Sequence, residues 1–383
     1  MMPNVEIRRV EGKKGLREFI DFHYDLYKGN PYDVPTLFSD DFNTLSKDRN
    51  AAFEFCKAEY YMAYKDGKPA GRVAAIINTR ANEKWKTDSV RFGWIDFIDD
   101  REVSAALIKA VEDFGRAHGM KDIVGPLGFT DMDPEGMLIW GFDRLGTLAT
   151  IYNYPYYPEH IEAMGGFVKD NDYVEYKITV PEQIPEKFAK IASMIERRYD
   201  LHVRKLTRRD VFEGGYGRKV FEIINATFKD LYGFSELSDR QIDQYVHMYF
   251  PFADLNLITV VEDWSAGRKP VGVGIMLPSL SHALQKCRRG RLLPFGWWHL
   301  LRAVKMHKTD GVDLLLLGVL PEYRAKGANA LMFSDLIPIA NAYGFKWAES
   351  QCEMETNEGV QSQWEYLESV NHKRRRCYKR EIR

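Results

Sequence analysis

Residues 313–344, DLLLLGVLPEYRAKGANALMFSDLIPIANAYG, are the most informative part of the sequence for the fold. Its apolar run over 314–320 predicts a buried strand, and Pro321 ends that strand because proline cannot donate to a ladder. A short turn of small and basic residues follows, and the pattern predicts a helix over 328–343 that ends before Gly344. A glycine-containing turn that opens a helix aims backbone N–H groups at one point, where the helix dipole adds positive charge. The segment therefore predicts a cradle for a phosphate or pyrophosphate.

The elements around this segment recur earlier in the chain. The hairpin-like stretch AEYYMAYKDGKPAGRVAAIIN from Ala58 is answered by LITVVEDWSAGRKPVGVGIML from Leu257, and in each case a strand and a helix follow. Chance similarity of two α/β stretches is the alternative. We predict two domains, 1–180 and 181–383, and the second copy carries extra residues after its hairpin, at about 278–309.

Composition excludes several classes of protein. The 383 residues include 54 Lys and Arg against 55 Asp and Glu, so no basic excess points to nucleic acid. The four cysteines lie far apart without a CxxC pair, so neither a metal site nor a disulfide framework is predicted. The N-terminus has no apolar core typical of a signal peptide, and no run of about 18 apolar residues predicts a membrane span. We expect a cytoplasmic protein whose membrane contact, if it has any, is peripheral to the inner membrane.

The stretch from Val319 resembles the phosphate-binding turn of the GNAT acyltransferase superfamily, V-x-P-x-[YF]-R-x-x-G-x-[GA] between a strand and a helix. The matching positions are Val319, Pro321, Tyr323, Arg324 and Gly327. Asn329 stands where the family has Gly or Ala. The resemblance implies an α/β (α+β) fold of two tandem GNAT-like domains, each a mixed, mostly antiparallel twisted sheet flanked by helices. The alternative for the turn is an ordinary surface loop with basic residues.

The resemblance also implies a cofactor, coenzyme A carried as acyl-CoA, because the family's turn binds the pyrophosphate of that molecule. Asn357 falls where the family has an asparagine that binds the CoA arm. The cofactor-binding positions implied in this way are Leu317, Val319, Arg324, Lys326, Gly327, Ala328, Asn329, Ala330 and Asn357.

Two residues are candidates for the proton transfers. Glu349 begins the strand AESQCEMETN, where a carboxylate can act as a general base. The family's tyrosine general acid is missing, since Trp364 stands at its position, and Tyr366 is the nearby candidate for this role.

The first copy lacks the cradle. Its corresponding turn is DDREVSA, residues 99–105, whose acids would repel a phosphate, so we predict one cofactor per chain. A long loop from Gly125 is rich in Gly, Pro and aromatic residues, and a candidate substrate wall lies in it, namely Tyr152, Asn153, Tyr156 and Tyr157. The alternative is a structural loop packed by its own aromatic side chains.

Over its whole length the chain resembles a narrower group, the tandem GNAT-like proteins of the bacterial ceramide-synthase-like branch. The resemblance is carried by EGMLIWGFD, YNYPYY and GFVKDND in the first half and by GRLLP from Gly290 in the second. It implies transfer of an acyl group from acyl-CoA to a primary amine, with a long-chain, sphingoid-like amine as the acceptor. A non-catalytic acyl-CoA-binding or scaffold protein is the alternative.

The extra residues at 278–309 predict a helical hairpin with apolar stripes and basic flanks. From Lys286 to Lys308 there are seven Lys or Arg and no acid, and Trp297, a candidate substrate contact, lies among them. Such helices can lie in a membrane interface, and a hairpin packed on the sheet with a solvated basic face is the alternative. A last basic run, KRRRCYKR from Lys373, predicts a final strand with an exposed basic face.

Overall fold

The computed structural model describes residues 5–382. The strands are, in chain order, β1 (Val5–Arg9), β2 (Cys56–Lys65), β3 (Lys68–Asn78), β4 (Ser89–Phe97), β5 (Asp122–Gly125), β6 (Met137–Trp140), β7 (Val168–Thr179), β8 (Leu201–Lys205), β9 (Ile258–Asp263), β10 (Lys269–Pro278), β11 (Gly311–Val319), β12 (Trp347–Ser350), β13 (Glu353–Met354) and β14 (Ser369–Glu381). The α-helices are α1 (Gly12–Leu26), α2 (Phe38–Leu45), α3 (Thr79–Trp85), α4 (Arg101–Ala117), α5 (Tyr156–Ala163), α6 (Glu186–Tyr199), α7 (Arg208–Phe212), α8 (Tyr216–Phe228), α9 (Asp239–Tyr249), α10 (Ser281–Gln285), α11 (Gly296–Val304), α12 (Asn329–Ala342) and α13 (Glu358–Gln361).

These elements form two compact units. Unit 1 contains the chain up to Val174, the segment Ser281–His299 and the chain from His372 onward. Unit 2 contains Glu175–Leu280 and Leu300–Asn371. The predicted division after residue 180 differs from these units in two segments. Ser281–His299 and the chain from His372 onward belong to unit 1, although they are far from the rest of that unit in sequence. The position at which the two sequence copies meet stays a prediction.

Unit 1 is built on a mixed sheet in the order β1-β2-β3-β4-β5-β14. All its neighbouring strands are antiparallel except β4 and β5, which run parallel. Helix α4 covers one face because its residues at helical spacing are apolar and buried: Val103, Leu107, Ile108, Val111 and Phe114.

Unit 2 repeats this pairing in the order β8-β9-β10-β11-β12, and the part of β7 from Glu175 onward pairs with β12. Its one parallel pair is β11 and β12, the counterpart of β4 and β5. An apolar core of α6 and α12 residues covers one face of this sheet. The predicted fold, two domains with a mostly antiparallel mixed sheet flanked by helices, is confirmed.

The prediction of an exposed basic face on the last strand is wrong for two of its residues. β14 is a strand, as expected, but Lys373 and Arg375 are each only 1% exposed. The Lys373 ammonium donates to the carbonyl of Leu145 at 3.2 Å, and the Arg375 guanidinium donates to the carbonyl of Ile151. These cations are buried in unit 1 because backbone carbonyls satisfy them.

The segment Ser281–His299 packs in unit 1 through α10 and the turn that follows it. Leu284 and Cys287 are buried, as the predicted apolar stripe requires. Arg289 donates to the carboxylates of Asp21 and Asp25 on α1, and Arg291 donates to Asp21 at 3.1 Å. Part of the basic flank therefore attaches the segment to α1.

Candidate functional site

An opening between two parallel strands is the central feature of unit 2. β12 pairs with β11 as far as Leu314 and Ser350, whereas β11 continues to Val319. The two strands therefore separate after Leu314. Residues 314–317 are only partly buried, although they lie in the middle of a strand. This edge of β11 can pair with an extended ligand in the way that an added strand would.

The turn after β11 leads directly into the start of a helix. Residues 321–326 form a 3-10 turn, and Gly327 has a φ of 84°, which favours glycine. Helix α12 begins at Asn329, and Ala328 at its N-cap makes no side-chain cap. The N–H groups of Ala330 and Leu331 donate to the carbonyls of Gly327 and Ala328, so this N-terminus offers an anion chiefly the partial positive charge of the helix.

Two cations stand at this turn. Arg324 donates to the carbonyl of Thr227 at 2.8 Å and to that of Val319 at 3.3 Å, which attaches the turn to α8 and to the end of β11. The Lys326 ammonium lies 4.1 Å from the centre of the Tyr323 ring. The predicted cofactor residues Leu317, Ala330 and Asn357 lie on β11, on α12 and at the N-cap of α13. Their role toward a cofactor stays a prediction.

The two predicted catalytic residues have different surroundings. Glu349 lies in the β12 ladder, paired in register with Asp313 of β11 and Lys177 of β7, and is 4% exposed. Tyr366 is 43% exposed, and the Lys187 ammonium lies 3.3 Å from its ring centre. Their roles in proton transfer also stay predictions.

Sequence reasoning missed a third titratable group, Glu353 on β13. Trp364 donates its indole N–H to both carboxylate oxygens of Glu353 at 3.0 Å. Burial raises the pKa of Glu353 to about 7, although the hydrogen bonds from Trp364 and Ser350 oppose the shift and nearby Glu175 supports it. The position of Trp364 in the family pattern pointed to this region, but the sequence did not show which carboxyl the indole would meet.

In unit 1, the corresponding strand edge is occupied by the protein's own tyrosines. The Tyr157 hydroxyl accepts from the backbone N–H of Phe97 at 3.0 Å, and the Tyr156 hydroxyl donates to the carbonyl of Phe97 at 2.7 Å. Asn153 binds both backbone groups of Leu138. These contacts are those of a loop packed by its own side chains, the alternative stated for this cluster, and its role as a substrate wall stays a prediction.

The N-terminus of α4 in unit 1 already carries a carboxylate. Asp100 accepts from the backbone N–H groups of Glu102 and Val103, and its other oxygen contacts Lys65. The pKa of Asp100 is lowered because these hydrogen bonds outweigh its burial. An anionic side chain therefore occupies the place that a phosphate takes in the predicted cradle of unit 2.

A buried cluster of charges lies beside these tyrosines. His23 of α1 is 3.1 Å from Asp96 and 3.3 Å from Asp33, and Arg72 donates to Asp96 at 2.7 Å. Burial alone would lower the pKa of His23, but the two carboxylates outweigh it and raise its pKa to about 10. A cavity of about 30 Å³ adjoins the cluster, enough for one or two waters. No sequence pattern pointed to this cluster, because its members are distant along the chain.

An apolar segment of unit 1, residues 293–298, contains the end of the connection between α10 and α11 and the first residues of α11. Its large side chains are exposed to different degrees, 76% for Leu293, 70% for Phe295, 49% for Trp297 and 41% for Trp298. Exposed cations, Lys286 and Arg288, precede it. Among residues 5–382, no helix combines the length and the apolar content that crossing a membrane requires.

No family model matches the chain. "Protein YghO" of Escherichia coli (strain K12) is 27% identical over 388 residues, which cover 98% of this chain and 95% of that protein. "Bacterial ceramide synthase" of Caulobacter vibrioides (strain NA1000 / CB15N) is 25% identical over 384 residues, 96% of this chain and 95% of that one. Among solved structures, a tandem GNAT protein from the clavulanic acid biosynthesis pathway aligns with a TM-score of 0.57 at 12% identity and covers 99% of both chains.

The chain therefore has the tandem fold of the GNAT superfamily, in agreement with the two repeated sheets and their parallel pairs. The similarity extends over almost the full length of the two sequence relatives, one of them named as a ceramide synthase.

We expect Asp96→Ala to lower the free energy of unfolding by about 3–5 kcal/mol, because it leaves His23 and Arg72 buried with one carboxylate fewer. The matched control is Asp113→Ala, whose partners Lys109 and Arg116 are exposed; it should change the value by less than about 1 kcal/mol. Urea unfolding followed by circular dichroism measures both. Equal losses in the two variants would show that the cluster contributes no more than a surface pair.

Proposed function

We propose that the protein is an acyl-CoA-dependent N-acyltransferase, which moves an acyl group from acyl-CoA to a primary amine. One observation carries the proposal: in unit 2 a free strand edge leads into an uncapped helix N-terminus. The edge suits the amide-rich arm of acyl-CoA, and the helix N-terminus with Arg324 and Lys326 suits its pyrophosphate.

The chemistry needs no covalent enzyme intermediate. The amine loses a proton and its nitrogen attacks the thioester carbonyl, while a backbone N–H near Val319 polarises the carbonyl oxygen. Glu349 is our proposed base for the amine, and a positioned base contributes roughly 10²–10⁴-fold. Tyr366 stays our sequence-based candidate near the departing sulfur.

The cradle can be tested with a pair of glycine variants. Gly327→Glu should abolish acyl-CoA binding, because a carboxylate then stands at the helix N-terminus. Gly344→Glu at the other end of α12 controls for the backbone strain of a positive φ, which is 81° there; a Cβ at Gly344 meets open space, whereas one at Gly327 lies 3.3 Å from Ile191 and Ile195. Arg324→Ala should weaken binding by about 1–3 kcal/mol. Isothermal titration measures the affinities, and a wild-type affinity in Gly327→Glu would contradict the cradle.

The same titration should give one acyl-CoA per chain. In unit 1, Tyr156 and Tyr157 occupy the strand edge and Asp100 caps the helix, so a second molecule finds neither a ladder nor a positive helix end. A stoichiometry of two would show that unit 1 also binds the cofactor.

The acceptor that we propose is a long-chain, sphingoid-like amine met at a membrane surface. The apolar segment 293–298 of unit 1 supports this, because Leu293, Phe295, Trp297 and Trp298 are exposed side chains of the kind that insert into a membrane interface. Lys286 and Arg288 are exposed beside it, and each cation near an anionic surface is worth about 1 kcal/mol. The similarity to a protein named bacterial ceramide synthase points the same way.

We expect the wild type to co-sediment with anionic vesicles in a salt-sensitive manner. The double variant Leu293→Asp/Phe295→Asp should weaken this binding at least about tenfold, since each buried side chain contributes about 1.5–3 kcal/mol. Phe252→Asp is the matched control, because Phe252 of unit 2 is 72% exposed, close to the 70% of Phe295.

Charge dependence is tested with Lys286→Glu and Arg288→Glu, which should lower vesicle binding at low salt and make the remaining binding less sensitive to salt. Arg289 and Arg291 are left unchanged because they pair with Asp21. If the wild type stays in the supernatant at low salt, and short polar amines are acylated as fast as long-chain ones, the lipid acceptor is wrong.

A non-catalytic acyl-CoA-binding or scaffold protein is the second candidate. Trp364 favours it, because an indole N–H cannot supply the proton that a phenol can. Acyl-CoA binding without release of the CoA thiol, over a panel of short and long primary amines, would favour this second candidate.

A further inference from the structure

The hydrogen-bonded pair of Glu353 and Trp364 lies in unit 2, on the segment that follows β12. β12 stops pairing with β11 at Ser350, and Glu353 follows shortly afterwards on β13. Trp364 is 3% exposed and donates to both oxygens of the carboxylate. The indole therefore fixes the position of the carboxyl group three residues after the end of β12.

The pair lies on the face of the unit 2 sheet that α12 covers. The Trp364 ring meets Phe333 of α12 edge-on, with ring centres 6.0 Å apart. Both residues belong to the apolar core that also contains Ala348 of β12. Because side chains alternate along a strand, Glu349 points to the opposite face from Ala348. Glu349 and the Glu353–Trp364 pair are thus on different sides of the sheet.

This separation matches the two proton transfers that acyl transfer requires. The attacking nitrogen must lose a proton, and the departing sulfur must gain one. The proposed cradle is at the N-terminus of α12, so a bound acyl-CoA approaches from the face that carries Glu353.

We propose that Glu353, in place of the sequence-based candidate Tyr366, donates the proton to the departing CoA sulfur and that Trp364 is its positioning residue. The proposal rests on the acyltransferase function proposed above. The amine nitrogen forms its bond to the carbonyl carbon, the C–S bond breaks, and its electron pair goes to sulfur. Sulfur takes the proton of the Glu353 carboxyl, and the carboxylate regains a proton from solvent.

The charges around Glu353 suit a proton donor at neutral pH. Burial raises its pKa from 4.5 to about 7, the hydrogen bonds from Trp364 and Ser350 lower it, and the carboxylate of Glu175 on β7 raises it. A donor must be protonated before the step, so the pKa sets an upper limit on the useful pH. The wild-type kcat should therefore fall as the pH rises through about 7.

Steady-state release of the CoA thiol between pH 5 and 10 tests the assignment. Glu353→Gln keeps an oxygen for the indole to bind but cannot donate the proton. It should lower kcat by roughly 10²–10⁴-fold and remove the alkaline fall, with acyl-CoA affinity by titration within about twofold of wild type. Glu365→Gln is the matched control, an exposed carboxyl next to Trp364 in sequence, and should retain the wild-type profile.

Trp364→Phe tests the positioning role through the pH profile. The indole N–H favours the carboxylate form, so its loss should raise the pKa of Glu353 and move the alkaline fall to higher pH. If Trp364 were purely structural, Trp364→Phe would lower kcat without shifting the pH of the alkaline fall. That outcome would contradict the positioning role.

The failures can be told apart. If the wild type releases no thiol with any amine, the proposed function is wrong and the inference falls with it. If the wild type is active while Glu353→Gln keeps both its rate and its alkaline fall, the function stands and the assignment of Glu353 is wrong.

Discussion

Backbone N–H and C=O groups at the edge of a strand need hydrogen-bond partners, and each unit of this protein meets that need differently. In unit 1, the hydroxyls of Tyr156 and Tyr157 bind the two backbone groups of Phe97 at the end of β4. In unit 2, β12 leaves β11 at Leu314, and the edge beyond it faces the opening. The same parallel pair thus has a filled form and an open form, and the proposed cofactor site follows from the open one.

The helices that follow these strands, α4 in unit 1 and α12 in unit 2, differ in the charge at their N-termini. The N-terminus of α4 is capped by Asp100, which uses the positive end of the helix internally. The N-terminus of α12 has no side-chain cap and is preceded by Arg324 and Lys326. A phosphate would meet repulsion in unit 1 and attraction in unit 2. The open strand edge and the positive helix end therefore both favour unit 2 as the site of acyl-CoA.

The sequence predicted those features that depend on local patterns. The hairpins, the apolar strand 314–320 and the turn at Gly327 follow from alternation, proline and glycine positions, and they were found where expected. The burial of Lys373 and the charge cluster at His23 were not predictable, because their partners are far away along the chain. Patterns also could not show that β14 pairs with β5 in the sheet of unit 1, since strand order depends on tertiary pairing.

The charge cluster of unit 1 shows what such distant contacts contribute. Two cations, His23 and Arg72, face two carboxylates, Asp33 and Asp96, so the buried group is neutral as a whole. An apolar group of equal volume could be as stable, but removal of one member leaves an uncompensated charge. The cluster therefore fixes how α1 sits on β3 and β4 of unit 1 more than it adds net stability.

In unit 2, Trp364 changes which group can act as the proton donor. A tyrosine there would be its own proton donor, with an ordinary pKa of about 10. The indole instead donates a hydrogen bond to a separate carboxyl group, that of Glu353, and so orients it. The acidity of Glu353 is set by other features, because burial and the nearby Glu175 raise its pKa to about 7. Under the proposed function, the sulfur would then receive its proton from a group that is about half protonated at neutral pH, where a phenol would hold its proton far more tightly.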